Sequence, residues 1–594
     1  MSQQNNNNLQ KHFYRASAAD FGKIPGSPVA YWASKAIFRL FSEGRKITDF
    51  VNSRDGLTTG NNEAFIRYHF EVSRNSIGFG APTPTKFWES KKRFAPLIKG
   101  GSYRKWYGNL LNVITYDQDS YQILSESGNK LPSRDYYFRE SINWTRISSP
   151  AGSFRHTPQG CIFESASLCA YSHEQSDLEF ALAAANSSIA VPQLNLVNPT
   201  TNLLSGYFDM LRVPESAVGH AKEISSTARY LVTTAKSDWD SCELSWDFAN
   251  LPLLHSNNRQ PTLKASYQKL QAHWRDMILE MQSLEEENNR IFIEAYGLQD
   301  ELTLEVPLSE ITLTCNPHYR YGGNLTDEER EERLQSDTIA ELISYAIGCM
   351  MGRYSLDREG LVYAHAGNEG FKALVEEGAY ATFAADEDGI LPLTADNWFP
   401  DDVAARIEAF VCTVWGKETL EENLQFIADS LCLSAIKPVK KGGETSRETL
   451  RRYLSTQFFK DHMKTYKKRP IYWLFSSGKE KAFECLVYLH RYNEATLPRM
   501  RTEYVTPLLG QMAGRIERKR LEQAEADTAQ AKRIGKEIDT LSKQLTELRA
   551  FDDELKHHAD MRITLDLDDG VKVNYGKFGT LLSDVKAITG DKGE

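Results

Sequence analysis

Apolar positions follow two different spacings along this chain. From about Phe13 to Phe208, short aromatic and β-branched runs such as Cys161-Ile162-Phe163 are interrupted by Gly, Pro, Asn and Ser, which favours strands with long connections. Two early stretches, 28–41 and 177–186, show helical spacing instead. Beyond residue 262 helical spacing prevails, so the pattern predicts an α+β fold: a strand-rich domain followed by a mostly helical C-terminal region.

Several later elements can be bounded from their start signals. Residues 262–296 predict one long helix, and residues 326–351 predict a helix that Asp327 and its acidic neighbour open. Apolar residues near heptad spacing, set between charges of both signs, predict a helical hairpin or short coiled coil over 511–555. The tail, 565–587, predicts a small strand and a helix.

Changes of composition divide the chain into six predicted segments. The first is rich in Asn and Gln and predicts a disordered lead or joining segment. The stretch 237–247 contains two tryptophans and marks the end of the strand-rich domain. The segments are 1–12 (disordered lead), 13–236 (strand-rich domain), 237–436 (mixed helical and irregular domain), 437–510 (basic helical segment), 511–560 (helical hairpin) and 561–594 (strand and helix cap).

The overall charge of the chain is acidic, with a formal net charge of -10 and a pI near 5.8. Any contact with nucleic acid must therefore come from local basic patches. The eight cysteines are dispersed and show no zinc-ligand spacing, so buried reduced thiols and no metal site are expected. No stretch resembles a signal peptide or an apolar membrane span, and we expect a cytoplasmic protein without membrane contact.

Two glycine-containing phrases carry candidate chemistry for nucleic-acid contact. In 99–109, cations and two aromatics stand beside glycines that let the backbone approach a partner closely. The alternative is a surface loop whose Trp106 and Tyr107 cap a core edge. In 56–67, hydroxyl and amide groups could bond phosphates, and Arg67 could read guanine; the alternative is a glycine-rich turn between strands.

The most basic stretch is 437–469, where lysines and arginines alternate with aromatics. A basic helix that runs into the aromatic strand after Pro470 could hold a DNA backbone while Tyr472 and Trp473 anchor the core. The alternative is a helix whose cations lie along an acidic neighbour. On the sequence alone, both interpretations stay open.

A four-residue phrase, Asn316-Pro317-His318-Tyr319, is close to the Asn/Asp-Pro-Pro-aromatic loop with which amino-methyltransferases hold a flipped base. His318 replaces the second proline, and no glycine-rich cofactor loop in strand-turn-helix context accompanies the phrase. Asn316 and Tyr319 are therefore weak catalytic candidates, and a polar turn explains the phrase adequately.

Six phrases, in their order and spacing, resemble the target-recognition half of the PglX family, the adenine-specific DNA methyltransferases of type 1 BREX phage-defence systems. The resemblance runs from about Phe13 to the end of the chain. Its basic phrase is also similar to related defence methyltransferases of the DISARM type. The phrases are Gly56–Arg67, Lys99–Asn109, Leu131–Glu140, Ile142–Ser149, Asn198–Asn202 and Lys468–Leu474.

The resemblance implies that segment 13–236 is a DNA target-recognition domain. It also implies that S-adenosylmethionine and the catalytic loop belong to a methyltransferase half absent from this chain, so that no cofactor is bound here. The expected partners are double-stranded DNA, a catalytic domain in cis or in trans, and other BREX proteins. The nominated DNA contacts are Thr59, Asn61, Arg67, Lys99, Arg104, Lys105, Arg134, Arg139, Arg447, Arg451, Lys467, Lys468 and Arg469.

The expected function is thus sequence-specific DNA recognition for N6-adenine methylation, which marks host DNA against phage. One alternative is a protein-interaction scaffold of the BREX complex with minor DNA contact, which the acidic net charge favours. A second alternative is a divergent complete methyltransferase with its site around Asn316.

Overall fold

A computed structural model describes residues 17–147, 152–394, 396, 398–439 and 443–590. The predicted disordered lead, 1–12, and Lys440 and Lys441 of the basic stretch lie outside these ranges. The predicted α+β class is confirmed, since helices predominate and several small sheets accompany them.

The chain forms two compact units, and each is discontinuous in sequence. The first unit runs up to Arg67 and continues with Ser76–Asp240 and Ala272–Asn324. The second unit takes Tyr68–Asn75, Ser241–Gln271 and the chain from Leu325 onward. The first unit therefore includes chain on both sides of the predicted boundary at 236/237.

Two four-stranded sheets build the first unit. One sheet is antiparallel throughout, in the order Asn52–Arg54, Ser167–Tyr171, Ser141–Thr145, Phe154–Thr157. The other has the order Ile66–Tyr68, Asn112–Thr115, Phe94–Ile98, Ile162–Phe163, and its last pair is parallel. A short pair, Arg45–Lys46 with Arg212–Val213, completes the strands of this unit.

The strands of the first unit are short because turns interrupt them, whereas their apolar side chains are fully buried. All five residues of Phe94–Ile98 and of Ser167–Tyr171 are buried, and Trp144 stacks on Phe208 with ring centroids 4.6 Å apart. The helices of this unit are Ala18–Phe21, Lys35–Glu43, Asn62–Phe65, Pro84–Glu89, Gln118–Glu126, Gln175–Asn186, Ala190–Val197, Ser205–Phe208, Glu215–Val218, Ala221–Asp240 and Pro317–Arg320, with Leu263–Tyr296 from Ala272 onward.

The second unit is mostly helical around one antiparallel sheet, in the order Ile390–Pro392, Glu484–Tyr488, Tyr472–Ser476. Tyr472 and Trp473 are fully buried in it. Segment 437–510 therefore contains two strands beside its helices. The helices of this unit are Asp327–Met350, Phe371–Glu376, Val403–Trp415, Leu420–Ser434, Ser446–Tyr453, Phe459–Thr465, Thr496–Arg499, Thr506–Glu525, Thr528–Asp560, Gly570–Gly576 and Val585–Thr589, with π-helical turns at Leu454–Phe458 and Met500–Val505.

The long predicted helices are confirmed within one or two residues, at Leu263–Tyr296 and Asp327–Met350. The second begins at a capping box in which the Thr326 hydroxyl and the Glu329 carboxylate bond each other's backbone. The helix predicted over 28–41 begins only at Lys35, because Ser34 caps it.

The predicted helical hairpin is formed by Thr506–Glu525 and Thr528–Asp560, which pack against each other and bury Leu541, Leu545 and Leu548. The strand predicted in the tail is wrong for the described residues, 565–590. They form short helices, and only an isolated bridge joins Leu582 to Phe475, because one paired residue cannot sustain a ladder.

No single helix in the described ranges has the length and apolar composition to cross a membrane. The helices Gln175–Asn186 and Ala190–Val197 meet that test only as a pair bent by 76°, and most of their residues are buried.

Candidate nucleic-acid interface

The central part of the phrase 99–109 lies inside the first unit. Arg104 is 5% exposed, pairs with the Asp238 carboxylate at 3.3 Å and donates to the Thr314 hydroxyl at 2.6 Å. Its guanidinium also lies 5.2 Å from the ring centroid of Trp239. Arg104 therefore has no exposed group with which to reach a phosphate.

Lys105 is placed in the same way. Its ammonium forms an ion pair with Glu285, and the Trp106 indole donates to the same carboxylate at 2.8 Å. Burial by itself lowers the pKa of Lys105, but the Glu285 carboxylate outweighs burial and leaves that pKa above its ordinary value. Trp106 and Tyr107 are also buried, so this phrase caps a core edge, as its alternative interpretation states.

The beginning of the phrase forms an exposed tip. Gly100 has φ +75°, and a Cβ there would lie 2.9 Å from the Ala166 carbonyl, so this position needs glycine to pack against that loop. The Thr145 hydroxyl donates to the Gly101 carbonyl at 3.2 Å and holds the tip. The half-buried Lys99 side chain forms no ion pair within the described residues.

The nominated residues of the phrase 56–67 are used mainly in local structure. Thr59 is 1% exposed and its hydroxyl bonds the Asn62 side chain at 2.7 Å. Asn61 caps the helix Asn62–Phe65 by accepting from the Ala64 amide. Arg67 donates to the Glu63 and Ile66 carbonyls and stays half-buried.

Two arginines lie against one tyrosine of the same unit, and a third is close to it in sequence. The guanidinium of Arg54 lies 4.2 Å from the centroid of the Tyr136 ring, and that of Arg139 lies 5.3 Å from it. Arg134, two residues before the tyrosine, is exposed and donates to the Tyr121 hydroxyl at 3.4 Å. None of the three forms an ion pair with a described carboxylate. We call Arg54, Arg134, Tyr136 and Arg139 the arginine cluster.

A cleft of about 390 Å³ opens beside the chain that follows Arg54. Residues of the phrases Gly56–Arg67 and Ile142–Ser149 form part of it: Asn129 accepts from the Thr58 amide at 2.7 Å, and the Arg146 carbonyl accepts from the Leu203 amide at 2.7 Å. Gly56 is required here because a Cβ would lie 2.5 Å from the Glu164 backbone. We call it the Arg146 cleft; its lining includes Asp55, Thr58, Arg146, Ser205, Tyr207 and Met210.

The basic stretch of the second unit divides into two parts. Arg447 forms ion pairs with Glu408 at 2.9 Å and Glu421 at 2.7 Å, and Arg451 pairs with Asp402 at 2.9 Å. Lys467 and Lys468, by contrast, are exposed and form no ion pair within the described part of the chain.

Both lysines have positive φ, 54° and 59°, in the turn that leads to the strand Tyr472–Ser476. Arg469 follows half-buried and donates to the Lys468 carbonyl at 2.9 Å. Lys467 and Lys468 therefore offer two exposed cations without a carboxylate partner among the described residues.

The weak catalytic candidates have structural roles. Asn316 is fully buried, donates to the Leu308 and Ile311 carbonyls at 2.8 Å each, and accepts from the His318 amide. The Tyr319 hydroxyl donates to the Tyr103 carbonyl. These bonds describe a polar turn that caps the helix Pro317–Arg320.

Sequence reasoning missed Arg54, Asp55 and Tyr207 as site residues. Arg54 and Asp55 directly precede the first phrase, which is a usable signal, and Arg146 lies within the phrase Ile142–Ser149. Tyr207 carries no local signal, because a fold contact brings it to the cleft.

Two curated proteins align with 97% of this chain, and both are named adenine-specific methyltransferases. BrxX of Escherichia coli O9:H4 (strain HS) is 48% identical over 579 residues, and PglX of Lacticaseibacillus casei (strain Zhang) is 37% identical over 593 residues. The chain spans 46% of the length of each relative, about half. No family model matches the chain. The predicted resemblance to PglX-type methyltransferases is confirmed over nearly the whole chain, whereas its assignment to one half of such a protein stays a prediction.

Proposed function

We propose that this chain is the DNA-recognition part of a BREX-type N6-adenine DNA methyltransferase. In this role it grips duplex DNA, selects the site, and presents the adenine to a methyltransferase domain that binds S-adenosylmethionine. The similarity to two adenine-specific methyltransferases supports the reaction, and the share of their length that the chain spans leaves room for a separate catalytic part.

The arginine cluster beside the Arg146 cleft is the observation that carries the proposal. Cations without a carboxylate partner among the described residues can neutralise phosphates, and a polar cleft beside them can read bases. Because the net charge of the chain is -10, contact with DNA needs such a local group of arginines that have no carboxylate partner among the described residues. Lys99, Lys467 and Lys468 are further exposed or half-exposed cations that can add backbone contacts.

The test is selection of bound sequences from a random duplex library by the full chain, at two salt concentrations, followed by sequencing. We expect one enriched asymmetric site that contains adenine, and binding that weakens steeply with salt. The double substitution Arg54→Gln/Arg139→Gln should reduce affinity for the enriched duplex by about tenfold or more, since two phosphate contacts are lost.

Arg39→Gln is the matched control, because Arg39 is an exposed arginine of the same unit that contacts neither Tyr136 nor the cleft lining in the described structure. Absence of enrichment at either salt concentration would contradict recognition by this chain and favour the scaffold role. S-adenosylmethionine is titrated separately, and tight binding by the chain alone would support a complete enzyme instead.

A further inference from the structure

The Arg146 cleft has a size and a set of groups that suit one nucleobase. Its volume of about 390 Å³ falls in the range of small-ligand sites, and it mixes polar groups with the apolar Met210 and the aromatic Tyr207. A base inside a duplex has its Watson–Crick edge covered by its partner, so only a base turned out of the stack can present that edge to a cleft.

Three groups of the cleft keep unused bonding capacity within the described residues. Asp55 accepts only a long bond, 3.4 Å, from the Ser205 hydroxyl, and this bond uses one of its two oxygens. The Arg146 guanidinium donates only to the Ser165 carbonyl, also at 3.4 Å. The hydroxyl of the half-buried Tyr207 has no hydrogen-bond partner among the described residues. A carboxylate, a guanidinium and an aromatic ring are thus available in one cleft.

These groups discriminate among the bases. Guanine carries two adjacent N–H donors on its Watson–Crick edge, which match the two oxygens of one carboxylate, and its O6 and N7 accept from arginine. Adenine and cytosine each place a donor beside an acceptor, and thymine places one donor between two acceptors. Stacking on Tyr207 would serve any base, so the choice rests on Asp55 and Arg146.

We propose that the Arg146 cleft binds one guanine base everted from the bound duplex, with Asp55 reading its paired N–H donors, Arg146 its acceptors, and Tyr207 stacking on its ring. The inference rests on the proposed DNA recognition and deepens it. This guanine is a different base from the adenine that a catalytic domain modifies. The chain would then recognise its site in two ways, by binding one everted base in the cleft and by contacting base edges in the grooves of the duplex.

The test uses the full chain and the duplex that selection enriches. Each guanine of the site is replaced in turn by a fluorescent guanine analogue that brightens when unstacked, and fluorescence and anisotropy are followed together. We expect a several-fold rise in fluorescence at one position. Tyr207→Ala and Asp55→Asn should abolish this rise, whereas the Arg39→Gln control should retain it. Inosine at that position lacks one donor and should weaken binding by about tenfold.

The two proposals fail differently. An anisotropy change without brightening at any guanine, or brightening that both cleft variants retain, would overturn the everted-base site and leave DNA recognition standing. No anisotropy change with any enriched duplex would overturn recognition itself, and the everted-base site with it.

Discussion

At the scale of single residues, the same kind of cation takes opposite roles in this chain. Arg104 and Lys105 lie in a phrase whose composition predicts a phosphate contact, yet each is bonded to a carboxylate more than 130 residues away in sequence. Arg54 and Arg139 lie against the half-buried ring of Tyr136 instead. Local sequence does not separate the two cases, because the partner that neutralises a cation comes from elsewhere in the fold.

The buried ion pair of Lys105 gives a prediction about stability. Lys105→Ala leaves the Glu285 carboxylate buried without its cation, and we expect the free energy of unfolding to fall by about 3–5 kcal/mol. Lys86→Ala is the control, because Lys86 and Glu89 form an exposed pair with side chains 62% and 55% accessible, and its loss should cost about 0–1 kcal/mol. Urea unfolding followed by circular dichroism measures both, and equal costs would contradict the structural role of Lys105.

At the scale of elements, the sequence pattern of the basic stretch shows where the cations lie but not which of them are neutralised by carboxylates. Its helix Ser446–Tyr453 lies along acidic neighbours, which neutralise Arg447 and Arg451. The turn after the helix Phe459–Thr465 exposes Lys467 and Lys468 instead. Each of the two sequence interpretations therefore describes one part of this stretch.

This division predicts different salt dependences for two pairs of variants. Lys467→Gln/Lys468→Gln should reduce the slope of log affinity against log salt by up to about 2, because two phosphate contacts would be lost. Arg447→Gln/Arg452→Gln removes the same charge. Since Arg447 and Arg452 already pair with Glu421 and Glu444, no phosphate contact is lost and the slope should stay unchanged. Duplex binding by anisotropy at 50 to 200 mM salt is the measurement, and the reverse order of effects would disprove the division.

The helix Phe459–Thr465, which precedes that turn, contains a buried histidine. The Nε2 atom of His462 accepts from the Ile471 and Tyr472 amides at 3.1 Å each, which requires the neutral ring. Burial, and secondly Arg353, lowers the pKa of His462 to about 3. Because the unfolded chain binds this proton near pH 6.5, the stability contributed by the neutral ring is complete above pH 6.5 and is lost as pH falls toward 3.

The variant His462→Gln tests this titration. It should be less stable than the parent above pH 6.5, and the difference in free energy of unfolding should narrow by about 1.4 kcal/mol per pH unit below that. Urea unfolding of both proteins at several pH values between 7.5 and 5 gives the comparison. A difference that stays constant or widens with acid would show that His462 is not held neutral.

At the scale of the whole molecule, the division into units does not follow the sequence order. The segment Ala272–Asn324 belongs to the first unit although part of the second unit precedes it in sequence. It supplies Glu285, Thr312 and Thr314, which bond Arg104 and Lys105. A fragment 17–236, cut at the predicted boundary, would lack these partners and Asp238. It should show no cooperative thermal unfolding.

A fragment 17–324 restores those partners and should unfold cooperatively, as followed by circular dichroism and by resistance to limited proteolysis. The longer fragment serves as the control for handling and solubility. Cooperative unfolding of the shorter fragment would instead support an independent domain at 13–236.

The sequence by itself determined the α+β class, the long helices at Leu263–Tyr296 and Asp327–Met350, the helical hairpin, and the resemblance to PglX-type methyltransferases. These follow from periodicity, capping residues and long phrases, which are local properties of the chain. Tertiary structure alone decided which cations lack a carboxylate partner among the described residues, that Tyr207 and Arg146 line one cleft, and which distant segments complete the first unit. Those outcomes depend on contacts between residues far apart in sequence, whose burial and partners no local pattern records.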